Sequence, residues 1–326
     1  MFKSRITGTG MHLPEEVLTN ADCEKLCDTN DEWIRKRTGI ERRHMAPEGK
    51  GSADLAYHAS KMALDNAGIS AQDLDAIVFC TVTPDQFFPA SGNILQGMLG
   101  CKHIPSFDVN AACSGYICGL ATANAFIESG MYKTILLVGA DVISKYMDWD
   151  YRDTSILFGD GAGATVIHAE KGDHGVKFIE MGTDGEHYGV LEMPGSGSRN
   201  PITPDNVNDH PYHILMDGQE LFKRAVRKFT ELGERALDET GLDVDDIKVF
   251  VPHQANARIL EAACARLNMP LERTIININE TGNTVAATIP MALHEAVIQG
   301  RLERGNHIMM GAYGAGLTWG GAIIKW

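Results

Sequence analysis

Gly68-Ile69-Ser70-Ala71-Gln72-Asp73-Leu74-Asp75-Ala76-Ile77-Val78-Phe79-Cys80 is echoed 173 residues downstream by Gly241-Leu242-Asp243-Val244-Asp245-Asp246-Ile247-Lys248-Val249-Phe250-Val251-Pro252. In each copy a glycine closes a helical pattern, an Asp with an apolar neighbour follows, and an apolar run of strand length comes next. A second match, between helical patterns ending at Gly130 and Gly300, lies at a shift of 170 and sets Cys113 opposite Asn283. Repetition over such a distance reads as one α/β unit written twice. The seam falls near residues 170–175, which divides the chain into halves of residues 1–171 and 172–326. No low-complexity linker separates them, so the halves are expected to pack tightly together.

Outward from the repeat, apolar β-branched runs predict strands at Ala76–Thr81, Ser106–Val109, Thr134–Val138, Gly163–Ala169, Val249–Pro252, Thr274–Ile278, His307–Met310 and Gly321–Lys325. Helical periodicity predicts helices at Ala53–Ala67, Cys113–Ser129, Gly218–Thr240, Ala255–Leu267 and Val285–Gln299. Pro194–His213, rich in Gly, Ser, Pro and Asn, reads as a long surface loop.

The 326 residues are 44% hydrophobic and 22% charged, which excludes a disordered chain and a small disulfide scaffold. A net charge of −14 argues against a general nucleic-acid or membrane-surface binder, so an acidic partner must meet a local basic patch. No run of eighteen apolar residues exists, and Met1-Phe2-Lys3-Ser4-Arg5-Ile6 lacks the apolar stretch of a signal peptide. Seven cysteines without a Cys-x-x-Cys pair speak against structural zinc and against a disulfide framework. A reducing cytoplasm is the expected setting.

Three residues could carry chemistry. Cys113 lies in Phe107-Asp108-Val109-Asn110-Ala111-Ala112-Cys113-Ser114-Gly115, between a strand and a helix. There the positive end of the helix dipole and free N–H groups are expected to favour the thiolate and lower its pKa. The plainer reading is a small buried cysteine. His253 follows a strand in Val251-Pro252-His253-Gln254-Ala255-Asn256, at the sheet edge where open α/β proteins place ligands. Asn283, in Glu280-Thr281-Gly282-Asn283-Thr284, reads by itself as a helix N-cap. Brought together on one face by the repeat, a thiolate, an imidazole and a carboxamide suit acyl transfer. The thiolate attacks a thioester, while the other two donate hydrogen bonds to a developing oxyanion or enolate.

Two glycine-rich stretches are not nucleotide motifs. Gly8-Thr9-Gly10-Met11-His12-Leu13 lacks the third glycine of a dinucleotide fingerprint. Gly159-Asp160-Gly161-Ala162-Gly163 lacks the Lys-Ser/Thr of a phosphate loop and reads as a tight turn where backbones approach closely. Five of the 29 basic residues fall between Trp33 and Arg43, where about one is expected by chance. A tryptophan beside guanidinium groups suits an adenine ring and phosphates, although a solvated basic turn has the same composition. Lys223, Arg224, Arg227 and Lys228 form two like-charged i,i+4 pairs on one helix. That repulsion, in an acidic chain, suggests an acidic partner.

In these residues the chain resembles the β-ketoacyl-[acyl carrier protein] synthase III family of the thiolase-like superfamily, the initiating condensing enzymes of type II fatty-acid synthesis. The resemblance runs from Ile6-Thr7-Gly8-Thr9-Gly10 to Gly316-Leu317-Thr318-Trp319-Gly320. Its specific blocks are Thr29-Asn30-Asp31-Glu32-Trp33-Ile34, Ala111-Ala112-Cys113-Ser114-Gly115, Phe158-Gly159-Asp160-Gly161-Ala162-Gly163, Pro252-His253-Gln254-Ala255-Asn256 and Gly282-Asn283-Thr284. It implies an α/β thiolase-like fold of two halves in layers, with a catalytic triad of Cys113, His253 and Asn283. It implies that Trp33, Arg37, Arg152, Gly218 and Asn256 hold coenzyme A or its pantetheine, and that Phe88 borders the acyl pocket. Backbone N–H groups of Cys113 and Ala315 would form the oxyanion hole, and Lys223, Arg258 and Arg266 would dock acyl carrier protein.

The implied reaction condenses a short acyl-CoA primer with malonyl-acyl carrier protein in a cytoplasmic homodimer. No metal or redox cofactor is expected, the two thioesters being substrates. One departure is Gly314-Ala315-Gly316, where the family has a glycine run and a Cβ restricts φ. Alternatives are a specialised-pathway relative with another primer or nucleophile, a silent acyl-CoA-binding or scaffold protein, and a cysteine protease. The α/β repeat and the Trp33–Arg37 cluster count against the protease, and the intact triad against the scaffold.

Overall fold

The computed structural model describes residues 2–326. The first half runs β1 (Lys3–His12), β2 (Glu16–Thr19), α1 (Asn20–Cys23), α2 (Asp31–Thr38), β3 (Arg42–Met45), α3 (Ser52–Ala67), β4 (Ala76–Cys80), α4 (Ser91–Leu99), β5 (Ser106–Val109), α5 (Gly115–Glu128), β6 (Thr134–Asp141), α6 (Arg152–Ser155) and β7 (Gly161–Glu170). The second runs β8 (Gly175–Thr183), β9 (Leu191–Glu192), β10 (Leu215–Met216), α7 (Gly218–Thr240), β11 (Ile247–Pro252), α8 (Ala257–Leu267), α9 (Ile278–Thr281), α10 (Thr288–Ile298), β12 (His307–Gly314) and β13 (Thr318–Lys325). Among the described residues no helix is long and apolar enough to cross a membrane.

Two sheets carry the repeat. Their orders are β1-β7-β6-β4-β5 and β11-β12-β13-β8. The parallel pair β4/β6 corresponds to the parallel pair β11/β12, while β7 and β13 add antiparallel in both sheets. Helices α5 and α10 fill the space between the sheets, and their buried Tyr116, Ile117, Leu120, Ile289, Ala292 and Leu293 share one core with strands of both halves. Helix α3 covers the outer face of the first sheet and α7 that of the second. The result is the five-layer α-β-α-β-α form of two tightly packed halves. A middle layer buried on both sides explains why α5 and α10 are apolar around most of their circumference.

The repeat register differs from the expected one at the site. The 3₁₀ turn Ala112–Ser114 before α5 corresponds to Val285–Ala287 before α10. Ala112 (φ +46°) and Val285 (φ +52°) share the left-handed conformation. Cys113 is therefore opposite Ala286, at the 173-residue shift of the strands, and not opposite Asn283. The 170-residue shift of the helix ends arises because α5 is three residues longer than α10.

Most expected elements are present, and Ser106–Val109 and Gly218–Thr240 have the expected ends. Thr274–Ile278 is not a strand: it makes a single bridge, Phe250 to Thr274. Beyond it the buried side chain of Gln254 takes the ladder's place, donating to Ile275 O (2.9 Å) and accepting from Asn277 N (3.1 Å). Gly159–Gly163 is not a tight turn but leads into β7. Its close approaches are real, since a Cβ on Gly163 would lie 2.7 Å from Met291 N. Gly8 and Gly10 let α3 rest on the backbone of β1, where added Cβ atoms would lie 2.2 and 2.3 Å from Ala63 O and Ala59 O.

Candidate active site

Strand β5 delivers the chain into the turn that holds Cys113, and α5 begins two residues later. The thiol is buried, with the residue 5% exposed. Burial, with the nearby Asp141 carboxylate adding to it, pushes the thiol up to about 12, while the N–H groups of Ala315 and Cys113 itself pull the other way. The expected lowering is thus corrected: loss of solvation, with Asp141, outweighs the two backbone donors. Cys113 is a neutral thiol at rest. Ala315 keeps a negative φ, so its Cβ causes no conflict, and the left-handed conformation falls on Gly316 at φ +130°.

His253 directly follows β11, its N–H donating to Gly311 O (2.8 Å), and it is fully buried. Nδ1 meets Thr288 Oγ1 at 2.7 Å. Nε2 meets no partner among the described residues. Burial lowers the imidazole to about 3, so it is neutral at physiological pH. Asn283 is strung between β7's approach and α10. It accepts from Gly159 N (3.1 Å), donates its own N–H to Leu157 O (2.9 Å), and its Oδ1 accepts from Val285 N (2.9 Å). That side-chain bond leaves Nδ2 as the atom free to donate.

Cys113, His253 and Asn283 line one cleft of about 1230 Å³. Cys113 also lines a second chamber of about 130 Å³, with Val82, Ile143, Tyr146, Phe158, Leu191 and Ile214 among its mostly apolar walls. The thiol therefore stands where a long cleft meets a small apolar pocket. The cleft reaches Trp33, Arg37, Arg152, Gly218, Asn256, Lys223 and Arg258. The Arg152 guanidinium lies 4.8 Å from the Trp33 ring centre and that of Arg37 5.6 Å. Asn256 caps α8 through Arg258 N (2.9 Å) and donates to Arg37 O (3.0 Å), tying the two basic segments together. Arg266, exposed in the last turn of α8, stands outside the cleft lining.

One residue stands apart from the site within a single chain, and one expectation needs correction. Phe88 is 85% exposed and lines neither cavity of its own chain. The basic face of α7 is not uniformly repulsive, because Arg224 pairs with Glu220 and Asp184, and Arg227 and Lys228 with Glu231. Lys223 is the member without an ion pair among the described residues, and Arg258 and Arg266 share that property.

The family model described as 3-oxoacyl-[acyl-carrier-protein (ACP)] synthase III matches residues 107–185, and that for its C-terminal part matches 237–326. A β-ketoacyl-[acyl-carrier-protein] synthase III of Caldanaerobacter subterraneus is 44% identical, with 98% of this chain and 97% of that protein covered. The chain belongs to the 3-oxoacyl-[acyl-carrier-protein] synthase III family. A Desulfitobacterium hafniense synthase III is 43% identical over 100% of this chain and 98% of its own. The crystal structure of the Aquifex aeolicus synthase III superposes with a TM-score of 0.92 at 41% identity, covering 100% of both chains. The synthase is therefore an acyltransferase of the condensing class on a thiolase-like fold.

Sequence reasoning missed two residues of this synthase III site. Asp141 accepts from Thr81 Oγ1, Val82 N, Thr83 N, Thr83 Oγ1 and Ala286 N, fixing the walls on both sides of Cys113. An acid closing an otherwise apolar strand was its signal. Thr288, the partner of His253, opens α10 and had no signal beyond standing five residues after Asn283.

Proposed function

We propose that this synthase condenses a short acyl-CoA primer with malonyl-acyl carrier protein, giving 3-oxoacyl-acyl carrier protein, CO₂ and CoA and so initiating fatty-acid synthesis. The observation that carries the reading is Cys113 at the junction of a long cleft and a small apolar chamber. A pantetheine arm fills the cleft, its thioester meets the sulfur, and the acyl chain enters the chamber. A cavity of roughly 150 Å³ holds benzene, so about 130 Å³ suits a primer of a few carbons.

In the first half-reaction the Cys113 sulfur attacks the acyl carbonyl, whose oxygen is received by the N–H groups of Cys113 and Ala315. The C–S bond to CoA breaks, and the thiol proton leaves on the CoA sulfur. In the second, malonyl-carrier protein occupies the same cleft. Its C–C bond to the carboxylate breaks, CO₂ departs, and the electron pair forms an enolate whose oxygen accepts from His253 Nε2–H and Asn283 Nδ2–H. The enolate carbon attacks the acyl-Cys113 carbonyl and expels the Cys113 thiolate, which takes up one proton from solvent to restore the resting thiol. Atoms and electrons balance without a metal or redox cofactor.

At the mouth, the adenine ring takes the place of the Arg152 guanidinium on Trp33, and Arg37 and Arg152 meet the phosphates. Gly218 and Asn256 border the pantetheine. Lys223, Arg258 and Arg266 receive the acidic carrier protein. The edge strand β5 and the exposed Phe87 and Phe88 favour a homodimer joined along β5, in which Phe88 serves the acyl pocket across the interface. The enzyme works in the cytoplasm. Mass spectrometry of the protein after exposure to acyl-CoAs of increasing length tests the reading: short acyl groups on Cys113 support it, and acylation elsewhere or none at all opposes it.

A further inference from the structure

His253 has two ring nitrogens and two different surroundings. Nε2 faces the cleft without a protein partner, while Nδ1 lies 2.7 Å from Thr288 Oγ1 in a fully buried contact. In a neutral imidazole one nitrogen donates and the other accepts, so whatever Nδ1 does fixes what Nε2 presents. The Thr288 hydroxyl has one hydrogen and two acceptors in reach, Nδ1 at 2.7 Å and Val285 O at 3.0 Å. Donation to Nδ1 places the imidazole proton on Nε2. Donation to Val285 O requires the proton on Nδ1 and leaves Nε2 a bare lone pair, which repels an enolate oxygen.

We infer that Thr288 is a positioning residue for the condensation: its hydroxyl donates to His253 Nδ1 and so holds the Nε2–H that meets the enolate oxygen. The inference rests on the reading of His253 given above and adds the group that sets its tautomer. The shorter of the two contacts is the one it needs. Thr288 opens α10 five residues after Asn283, so a single helix start orients both proposed enolate donors. The first half-reaction relies on the backbone N–H groups of Cys113 and Ala315 and has no such requirement.

Thr288→Val keeps the shape and removes the hydroxyl, and Thr288→Ser keeps the hydroxyl. For T288V, kcat for malonyl-carrier protein decarboxylation and condensation is expected to fall about 10- to 100-fold, as for a lost buried hydrogen-bond partner. Its KM for malonyl-carrier protein and its acylation by acetyl-CoA should stay within about threefold of wild type, and T288S should recover the lost rate. Wild-type condensation by T288V beside an inactive His253→Ala variant overturns this inference alone. Full condensation by His253→Ala overturns it together with the reading of the site. Equal loss of acylation and condensation in T288V, or no recovery in T288S, also overturns it, since a packing role would give that pattern.

Discussion

Gly314 lies so close to Cys113 that a Cβ on it would stand 2.5 Å from the cysteine Cβ and 2.7 Å from its sulfur. In the repeat, Gly314 ends β12 as Asp141 ends β6, and Asp141 in turn holds Ala286, the counterpart of Cys113. One half of the duplicated fold thus leaves room for a nucleophile, and the other fills the equivalent place with a carboxylate. Gly314→Ala should displace the thiol and lower the rate of Cys113 acylation about 100-fold, the cost of an ångström-scale misplacement. Acylation kinetics with acetyl-CoA check this; an unchanged rate would show that the contact does not position the sulfur.

His253→Ala and Asn283→Ala should divide the two half-reactions. Both variants should still acylate Cys113, while malonyl decarboxylation falls by about 10²–10³-fold for each lost donor. If Asn283→Ala condensed at the wild-type rate, the carboxamide would serve only the Asx turn to Val285.

The low pKa of His253 predicts an unusual pH response. Neutral in the fold down to about 3, the imidazole charges near 6.5 once unfolded. Between these values the unfolded chain binds the extra proton, so stability is full above 6.5 and is lost as pH falls. Melting temperature against pH should drop more steeply on the acid side for wild type than for His253→Gln. Decarboxylation should show no limb from His253 near 6.5; the buried Asp141 carboxyl, raised to about 6 by loss of solvation, titrates in that range, and a limb that survives in Asp141→Asn would mean that His253 titrates as an exposed histidine.

The outer rim should behave electrostatically. Lys223→Glu should raise KM for malonyl-carrier protein, more at low salt than at high, and leave acetyl-CoA kinetics nearly unchanged. Steady-state kinetics at two ionic strengths check this, and equal damage to both substrates would place Lys223 in the shared cleft instead.

The two-fold architecture and the three central residues were legible in the sequence because strand-length apolar runs and the turns after them repeat visibly. Strands β1 and β8 escaped notice. Gly8 and Gly10 dilute the apolar alternation of β1, for the sake of contact with α3, and β8 mixes charge with partial burial at a sheet edge. The state of Cys113 was misread because local sequence shows the helix terminus but not the burial or Asp141, both of which are tertiary. Thr288 and the acyl chamber are likewise products of packing between distant segments, 253 against 288 and 143 against 191 and 214. Acidic partners, Asp184 among them from outside the helix, offset three of the four basic residues that one-dimensional spacing displays.

One sulfur, that of Cys113, carries the acyl group between two substrates in the proposed reaction. Isotope-labelled acetyl-CoA should place its label on Cys113, as read by peptide mass spectrometry, and unlabelled malonyl-carrier protein added next should discharge it. The label is expected to leave Cys113 and appear in 3-oxoacyl-carrier protein, with one CO₂ released per turnover. Label that stays on Cys113, or product labelled while Cys113 never is, would contradict it.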